Sequence, residues 1–205
     1  MAYRRKDSFY TRAKAAGYRS RAAYKLSELA RRFDLVRRGD HVVDLGAWPG
    51  GWMQVASELT GPAGIVVGID LASIDPLGSP VVSFIQGDAL ERAIREEALR
   101  RCGGRVDVVL SDLAPKLSGV RARDEAQAAV LAEGALAAAR HLLRPHGHLL
   151  MKVFMTADTE AFLQQVRAAF QKVKLTKPEA TRKGSAELYL VALDLRPEAR
   201  AAGPA

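Results

Sequence analysis

The sequence lacks several features that mark particular classes of protein. It has one cysteine, Cys102, among 205 residues, which excludes an internal disulfide and a cysteine-based zinc site. His146 and His148 lie in a Pro–Gly turn with no third ligand nearby in sequence, so we expect no bound metal. No apolar run approaches the roughly 18 residues that cross a bilayer, and residues 1–14 are too polar for a secretory signal. We therefore expect a cytoplasmic protein with no membrane partner, and a monomer by default.

The glycine signatures of two common nucleotide-binding folds are also absent. The first glycine-rich turn, 44–52, reads Asp-Leu-Gly-Ala-Trp-Pro-Gly-Gly-Trp and does not match G-x-G-x-x-G. The spacing of Gly46 and Gly51 fits a P-loop, but Trp52 and Met53 stand where that loop needs Lys and Ser or Thr. The sequence therefore disfavours both a nicotinamide-dependent oxidoreductase and a nucleoside triphosphate ligand.

Positive charge is concentrated at the N terminus. The net charge is +8, and residues 1–38 hold 12 basic and three acidic side chains, so the remainder is nearly neutral. Aromatic residues are interleaved with these cations: Tyr3, Phe9, Tyr10, Tyr18 and Tyr24 with Arg4, Arg5, Arg12, Lys14, Arg19 and Arg21. Because bases stack on aromatic rings while cations contact phosphates, we predict that residues 1–19 form an RNA-binding arm. Together with this arm, a second basic stretch, 172–183, is expected to line the far side of a groove that binds RNA. The alternative is an arm that only aids solubility.

Beyond the arm, short apolar runs alternate with helical patterns. The runs predict strands at 41–45, 65–69, 81–85, 106–110, 148–154, 173–176 and 188–193. The helical patterns fall at about 21–34, 52–60, 89–101, 122–143 and 159–170, with Ser20 as the expected cap of the first. This alternation predicts an α/β fold with a mostly parallel, doubly wound sheet. The last two strands are only about 11 residues apart, too few for a crossover helix, which predicts an antiparallel C-terminal strand.

The chain shows no internal repeat and no linker, which favours a single domain. We expect that domain to span residues 20–195, after the arm at 1–19. We expect the tail at 196–205 to be disordered, as chain termini often are.

Four successive predicted strands end at a glycine or a carboxylate: Gly46, Asp70, Asp88 and Asp112. Ligands of open α/β sheets bind at this edge. Asp70 lies 24 residues after Gly46, the usual place for an acid that accepts hydrogen bonds from ribose hydroxyls, and Asp88 would accept from an adenine amino group. Adenosine joined to an amino acid, without phosphates, is S-adenosylmethionine. The alternative is that each aspartate caps a helix.

Two charged residues stand in otherwise apolar strands. Lys152 lies within the run 149–154, and Glu187 opens the last strand. Buried ions need partners because their desolvation is costly. Lys25 on the first helix and Asp112 complete a Lys–Asp–Lys–Glu set.

Four motifs together resemble the FtsJ/RrmJ family of RNA ribose 2′-O-methyltransferases. They are residues 44–52, Ser111-Asp-Leu-Ala-Pro115 with Ser118-Gly119, Lys152-Val-Phe154 and Glu187-Leu-Tyr189. The resemblance runs from about Ser8 to Asp194 and implies a class I, Rossmann-like fold that uses S-adenosylmethionine. It implies a catalytic tetrad of Lys25, Asp112, Lys152 and Glu187. It further implies cofactor contacts at Gly46, Gly50, Trp52, Asp70, Asp88 and Asp112. Trp48, Lys116 and Ala186 depart from the family pattern outside the tetrad.

The resemblance also implies a substrate, a uridine in the A loop of large-subunit ribosomal RNA, presented within the assembled subunit. Lys152 would activate the ribose hydroxyl, Asp112 would hold Lys152, and Glu187 with Lys25 would fix the ribose. Two alternatives stay open at this point. A transfer RNA ribose methyltransferase would share the tetrad, and a non-catalytic RNA-binding assembly factor would not need it.

Overall fold

The computed structural model describes residues 8–116, 118–154, 159–181 and 185–199. Within these residues the strands are β1 His41–Leu45, β2 Ile65–Asp70, β3 Val82–Gln86, β4 Val106–Ser111, β5 Leu143–Phe154, β6 Phe170–Thr176 and β7 Glu187–Leu195. The α-helices there are α1 Ser8–Ala15, α2 Ala23–Phe33, α3 Gly51–Thr60, α4 Arg92–Arg101, α5 Arg121–Leu142 and α6 Thr159–Ala169. Short 3-10 turns cover Gly61–Ala63 and Pro197–Ala199.

The strands form one sheet in the order β3-β2-β1-β4-β5-β7-β6. The pairs from β3 through to β5 are parallel, and β7 lies antiparallel between β5 and β6. The predicted α/β class and the antiparallel C-terminal strand are both confirmed. The strand order reverses between β1 and β4, where Leu45 pairs with Ser111. Such a reversal opens a crevice at the carboxyl ends of the two strands.

Apolar clusters cover both faces of the sheet, as its nearly continuous Val, Ile and Leu runs predict. Along β1, Val43 and Leu45 join the cluster beneath α4, α5 and α6, whereas Val42 joins the cluster beneath α2 and α3. The second cluster includes Trp52, whose indole Nε1 donates to the Ala22 carbonyl at 2.8 Å. This bond fixes the start of α2 against α3.

Several boundaries differ from the prediction. Helix α2 begins at Ala23, after an Ala22 N-cap that makes no side-chain capping bond, so the prediction that Ser20 caps this helix is wrong. The physical reason is that Ser20 packs against Gly51 instead, where an added Cβ would collide with its hydroxyl. Helix α1 was not predicted, and it packs on α2 through Phe9 and Tyr24, whose ring centroids are 5.9 Å apart.

The C-terminal tail is described only as far as residue 199. Its first part forms the short turn at Pro197–Ala199, where Arg140 donates from Nε to the Ala199 carbonyl. Ala199 also packs against the cluster beneath α6. Residues 200–205 and 1–7 lie outside the described residues, and the predicted boundaries of arm, domain and tail stay predictions.

Candidate active site at the carboxyl edge of the sheet

The turn after β1 contains glycines that bring its backbone close to the crevice. Gly46 and Gly50 have φ of 78° and 104°, values that L side chains rarely adopt. A Cβ at Gly46 would also lie 3.1 Å from the Leu113 backbone nitrogen, so the turn contacts the loop after β4 directly. The glycines therefore allow the positive φ values of this turn and its close approach to the loop after β4.

The three predicted cofactor carboxylates all lie along this edge. Asp70 accepts from the backbone nitrogens of Trp48 at 2.9 Å and Ala72 at 2.8 Å, which fixes its carboxylate beside the glycine turn. Asp88 accepts from the Leu90 nitrogen at 2.8 Å. None of the three caps a helix, because α3, α4 and α5 have Gly50, Glu91 and Val120 at their N-caps. The capping alternative is therefore wrong.

Asp112 is the third of these carboxylates, and it binds Lys152. The Lys152 Nζ lies 2.7 Å from Asp112 Oδ1 and 3.1 Å from the Asp112 carbonyl oxygen. The Lys152 side chain is only 8% exposed, against 27% for Asp112. A half-buried pair of this kind fixes an ammonium group at the mouth of the crevice.

A second ion pair joins the first helix to the last strand. Lys25 on α2 pairs with Glu187 on β7, and both side chains are largely buried. Lys25 also lies 3.2 Å from the Tyr189 hydroxyl, and Tyr189 is the register partner of Lys152 across β5 and β7. The structure thus brings all four predicted tetrad residues to one edge, as two ion pairs on either side of Tyr189.

Tyr189 is a fully buried hub between these pairs. Burial is the main cause that raises the pKa of its phenol far above the ordinary value, and the nearby Asp112 and Glu187 carboxylates raise it further. The phenol therefore stays neutral and acts as a hydrogen-bonding partner. Its ring centroid lies 6.0 Å from that of Trp52.

Asp44 is the residue that sequence reasoning missed. It lies in β1, next to the last residue of the strand and beneath the glycine turn. It is fully buried and has no hydrogen-bond partner for either oxygen within the described part of the chain. Burial raises the pKa of its carboxyl well above the ordinary value, and Asp112 and Asp70 raise it further. A carboxylate inside an apolar strand was the available signal, the same one that drew attention to Lys152.

Trp52 does not face the crevice with its side chain. The indole is only 3% exposed and belongs to the core between α2 and α3. A cofactor contact at this residue would therefore come from its backbone amide in the first turn of α3. Trp48, by contrast, is 60% exposed beside Asp70, at the rim of the crevice.

The arm carries a cation–aromatic cluster, but not all its cations face outward. The Arg12 guanidinium lies 5.6 Å from the centroid of the Phe9 ring and 5.1 Å from that of Tyr24. Arg21 lies 5.7 Å from the Phe9 ring centroid and also donates to the Ala180 carbonyl. Arg19 donates to the Asp75 and Pro76 carbonyls, so segment 17–21 is packed against the domain. The expectation that these cations face phosphates stays a prediction. Tyr3, Arg4 and Arg5 lie outside the described residues.

The second basic stretch contributes exposed cations on the edge strand β6. Lys172 and Lys174 are exposed there, whereas Lys177 donates to the Ser185 carbonyl at 2.6 Å. The loop that follows β6 is fastened to α2, because the Glu179 nitrogen donates to Glu28 at 2.8 Å. Arg182 and Lys183 lie outside the described residues.

The described residues hold no cluster of three or more His, Cys, Asp or Glu side chains suited to a metal ion. His148 instead accepts a hydrogen bond from the Asp194 nitrogen at 3.2 Å. Burial raises the pKa of the Cys102 thiol to about 12, so this residue is an inert part of the core. Among the helices described, none is both long and apolar enough to cross a membrane.

A mostly parallel seven-stranded sheet with this order, and with a glycine turn and carboxylates at its switch point, defines a Rossmann-like methyltransferase. Residues 18–195 match the profile of the FtsJ-like methyltransferase family. The chain belongs to that family.

Curated relatives and solved structures agree with this assignment. Ribosomal RNA large subunit methyltransferase E of Natronomonas pharaonis is 48% identical over 188 residues, covering 92% of this chain and 73% of the relative. The protein of the same name from Syntrophobacter fumaroxidans is 43% identical and covers 96% of this chain and 99% of the relative. A crystal structure described as a ribosomal RNA methyltransferase from Plasmodium falciparum has a TM-score of 0.77 at 27% identity, covering 87% of this chain and 98% of that chain. Fibrillarin of Aeropyrum pernix, in complex with S-adenosyl-L-methionine, shares the fold alone, with a TM-score of 0.56 at 19% identity over 83% of this chain and 76% of that chain.

Proposed function

We propose that this methyltransferase transfers a methyl group from S-adenosylmethionine to a ribose 2′-hydroxyl of large-subunit ribosomal RNA. The observation that carries the proposal is the pairing of Lys152 with Asp112 at 2.7 Å, beside the glycine turn and next to the Lys25–Glu187 pair. The names of the relatives at 48% and 43% identity support this choice of substrate.

The residues at the crevice fit S-adenosylmethionine. The backbone of the turn at Gly46 and Gly50 would contact the amino-acid moiety, and the Asp70 carboxylate beside it would accept from ribose hydroxyls. Asp88 follows β3 at the same edge and would accept from an adenine amino group. When bound, the cofactor supplies a sulfonium methyl group, which is an activated electrophile.

Lys152 is the residue we assign to the reacting hydroxyl. A ribose 2′-hydroxyl is a weak nucleophile, so its oxygen must be oriented and its developing negative charge stabilised. In the ammonium form Lys152, held by Asp112, does this by donating a hydrogen bond to that oxygen, and the hydroxyl proton then passes to solvent. In the amine form Lys152 would accept that proton itself.

Lys25 and Glu187 hold the ribose in this scheme. Each is more than four-fifths buried, and their ion pair is anchored by the neutral Tyr189 hydroxyl. An anchored pair offers both a donor and an acceptor to sugar hydroxyls at low entropic cost.

The finer substrate proposal is a uridine of the A loop, methylated in the assembled large subunit. The exposed cations Arg12, Lys172 and Lys174 support a large RNA partner, because phosphate contacts made over a wide surface supply affinity. The rim residue Trp48 offers an exposed ring on which a base could stack.

The experiment uses S-adenosylmethionine labelled in the methyl group, with large ribosomal subunits, protein-free ribosomal RNA and bulk transfer RNA from cells lacking the enzyme. Alkaline hydrolysis maps the label, since a 2′-O-methyl group blocks cleavage at the next phosphate. We expect one resistant dinucleotide, beginning with uridine, from the assembled subunits. Label in transfer RNA alone would overturn the substrate, and cofactor binding without label in any RNA would favour the assembly-factor alternative. The Lys152→Ala protein serves as the background control.

A further inference from the structure

The basic segment before α2 is fastened to the domain at three consecutive residues. The Gly17 carbonyl accepts from Gln54 Nε2 at 3.0 Å, and the Arg19 nitrogen donates to Gln54 Oε1 at 2.9 Å. Between them, the Tyr18 hydroxyl donates to Glu58 at 2.8 Å. Gln54 and Glu58 both belong to α3, so the segment is held along that helix and the path of Arg19 is fixed.

From this position the Arg19 side chain crosses the glycine turn and reaches the loop after β2. Its guanidinium donates from Nη1 to the Asp75 carbonyl at 2.6 Å and from Nη2 to the Pro76 carbonyl at 2.8 Å. Nη1 also lies 3.4 Å from the Pro49 carbonyl oxygen. A Cβ added to Gly50 would lie 3.4 Å from both Cδ and Nη1 of Arg19, so the guanidinium is packed on the turn itself.

Arg19 is one of several contacts that hold the loop between β2 and β3. Residues 71–81 connect β2 to β3 without regular secondary structure. The loop borders an open groove of about 620 Å³ lined by Met53 and Phe84. Its other contacts include the buried Ile74, Leu77 packed on the core beneath α3, and a 3.2 Å hydroxyl pair between Ser57 and Ser79. Gln86 Nε2 also donates to the Leu71 carbonyl at 3.1 Å.

We propose that Arg19 is a positioning residue for the cofactor pocket, because it ties the 71–81 loop to the Gly46–Gly51 turn and so sets the width of the crevice beside Asp70. This inference rests on the proposed function, in which the crevice binds S-adenosylmethionine. The N-terminal basic segment then has two separate tasks. Arg12, which lies on aromatic rings at the surface, contacts RNA, whereas Arg19 positions the loop of the cofactor pocket.

The geometry requires a guanidinium at this position. The planar guanidinium donates to two adjacent loop carbonyls, those of Asp75 and Pro76, while the Pro49 carbonyl of the turn lies at its edge. A lysine would keep the positive charge, but its single ammonium nitrogen lacks the planar set of N–H donors that the guanidinium offers. Arg19→Lys and Arg19→Ala should therefore behave alike towards the cofactor, if geometry and not charge is the contribution of Arg19.

The test measures binding of S-adenosylmethionine by calorimetry, binding of large-subunit ribosomal RNA, and amide hydrogen exchange of the 71–81 loop. For Arg19→Ala and Arg19→Lys we expect cofactor affinity to fall about tenfold, equivalent to about 1.4 kcal/mol. We also expect faster exchange in the loop and an RNA affinity within about threefold of the parent. In turnover, the KM for the cofactor should rise while kcat changes little. Arg12→Ala is the matched control, with weaker RNA binding, unchanged cofactor affinity and unchanged loop exchange.

Each outcome decides a different point. Parent-like cofactor affinity in Arg19→Ala overturns the inference, and loss of RNA affinity alone would make Arg19 a phosphate contact. If the unmodified protein itself does not bind S-adenosylmethionine, the proposed function fails, and loop exchange still decides whether Arg19 holds the loop. A urea unfolding midpoint for each variant separates a local effect from global destabilisation, and Arg19→Lys remains informative if Arg19→Ala does not fold.

Discussion

Asp44 should make the protein less stable as the pH rises through the weakly acidic range. Its carboxyl is fully buried without a partner in the described structure, and burial raises its pKa well above the ordinary value of 3.8. The unfolded chain therefore loses this proton near pH 3.8, whereas the folded chain keeps it to higher pH. Stability falls wherever the folded state binds more protons than the unfolded state.

The magnitude follows from that one-proton difference. Between the unfolded and folded pKa values, stability should fall by up to about 1.4 kcal/mol per pH unit and then level off. Asp44→Asn keeps the shape of the side chain but cannot ionise, so this contribution disappears. The free energy of unfolding of Asp44→Asn minus that of the parent should therefore grow as the pH rises from 4.

Urea unfolding from about pH 2.5 to pH 8, a range that extends below the ordinary carboxyl pKa of 3.8, provides the measurement without cofactor. Asp124→Asn is a control of opposite sign, because hydrogen bonds from the Ser118 nitrogen and hydroxyl lower the pKa of Asp124. Replacing Asp124 should remove a stabilising contribution that is present above its ordinary pKa and lost as the pH falls. Parallel stability curves for the parent and Asp44→Asn would refute the reasoning and indicate a hydrated or paired carboxylate.

Three further outcomes are expected. Lys152→Ala should abolish methyl transfer in a single-turnover assay. The Kd for S-adenosylmethionine should stay within about twofold of the parent value, since Lys152 binds Asp112 and not the glycine turn. Retained transfer would remove Lys152 from its role. Deleting residues 1–15, which leaves Arg19 in place, should weaken RNA binding and reduce its salt dependence, and an unchanged slope in a salt titration would mean that the arm only aids solubility. Trp52→Phe should lower the free energy of unfolding by about 1–2 kcal/mol, because the Ala22 carbonyl loses its indole partner, and an unchanged urea midpoint would contradict this.

The order of strands and helices was predictable because the period of the apolar residues is a local property of the chain. The same holds for Asp70, Asp88 and Asp112, since a carboxylate after a parallel strand must lie at the ligand edge of the sheet. The cost of a lone buried ion predicted that Lys152 has a partner, and the family resemblance implied that this partner is Asp112.

Other features depend on packing between distant segments, so they could not be predicted from composition or from local patterns of residues. Arg12 and Arg19 are alike in sequence, yet one lies on surface rings and the other on backbone carbonyls 56 and 57 residues away. The buried indole of Trp52 was likewise hidden, because a tryptophan at the start of a helix can face either the core or the ligand. Asp44 escaped notice because its environment is set by strands on both sides of it.

The position of β7 has a consequence for how the protein is made. This strand is the last of those in the described residues, yet it lies inside the sheet, with β5 on one side and β6 on the other. The ion pair of Lys25 with Glu187 spans 162 residues and cannot form until β7 has entered that gap. On the ribosome, where N-terminal parts emerge first, the glycine turn can fold early while the Lys25–Glu187 pair waits until β7 has been synthesised. Under the proposed function, a nascent chain should therefore gain the cofactor site before it gains the ability to modify RNA.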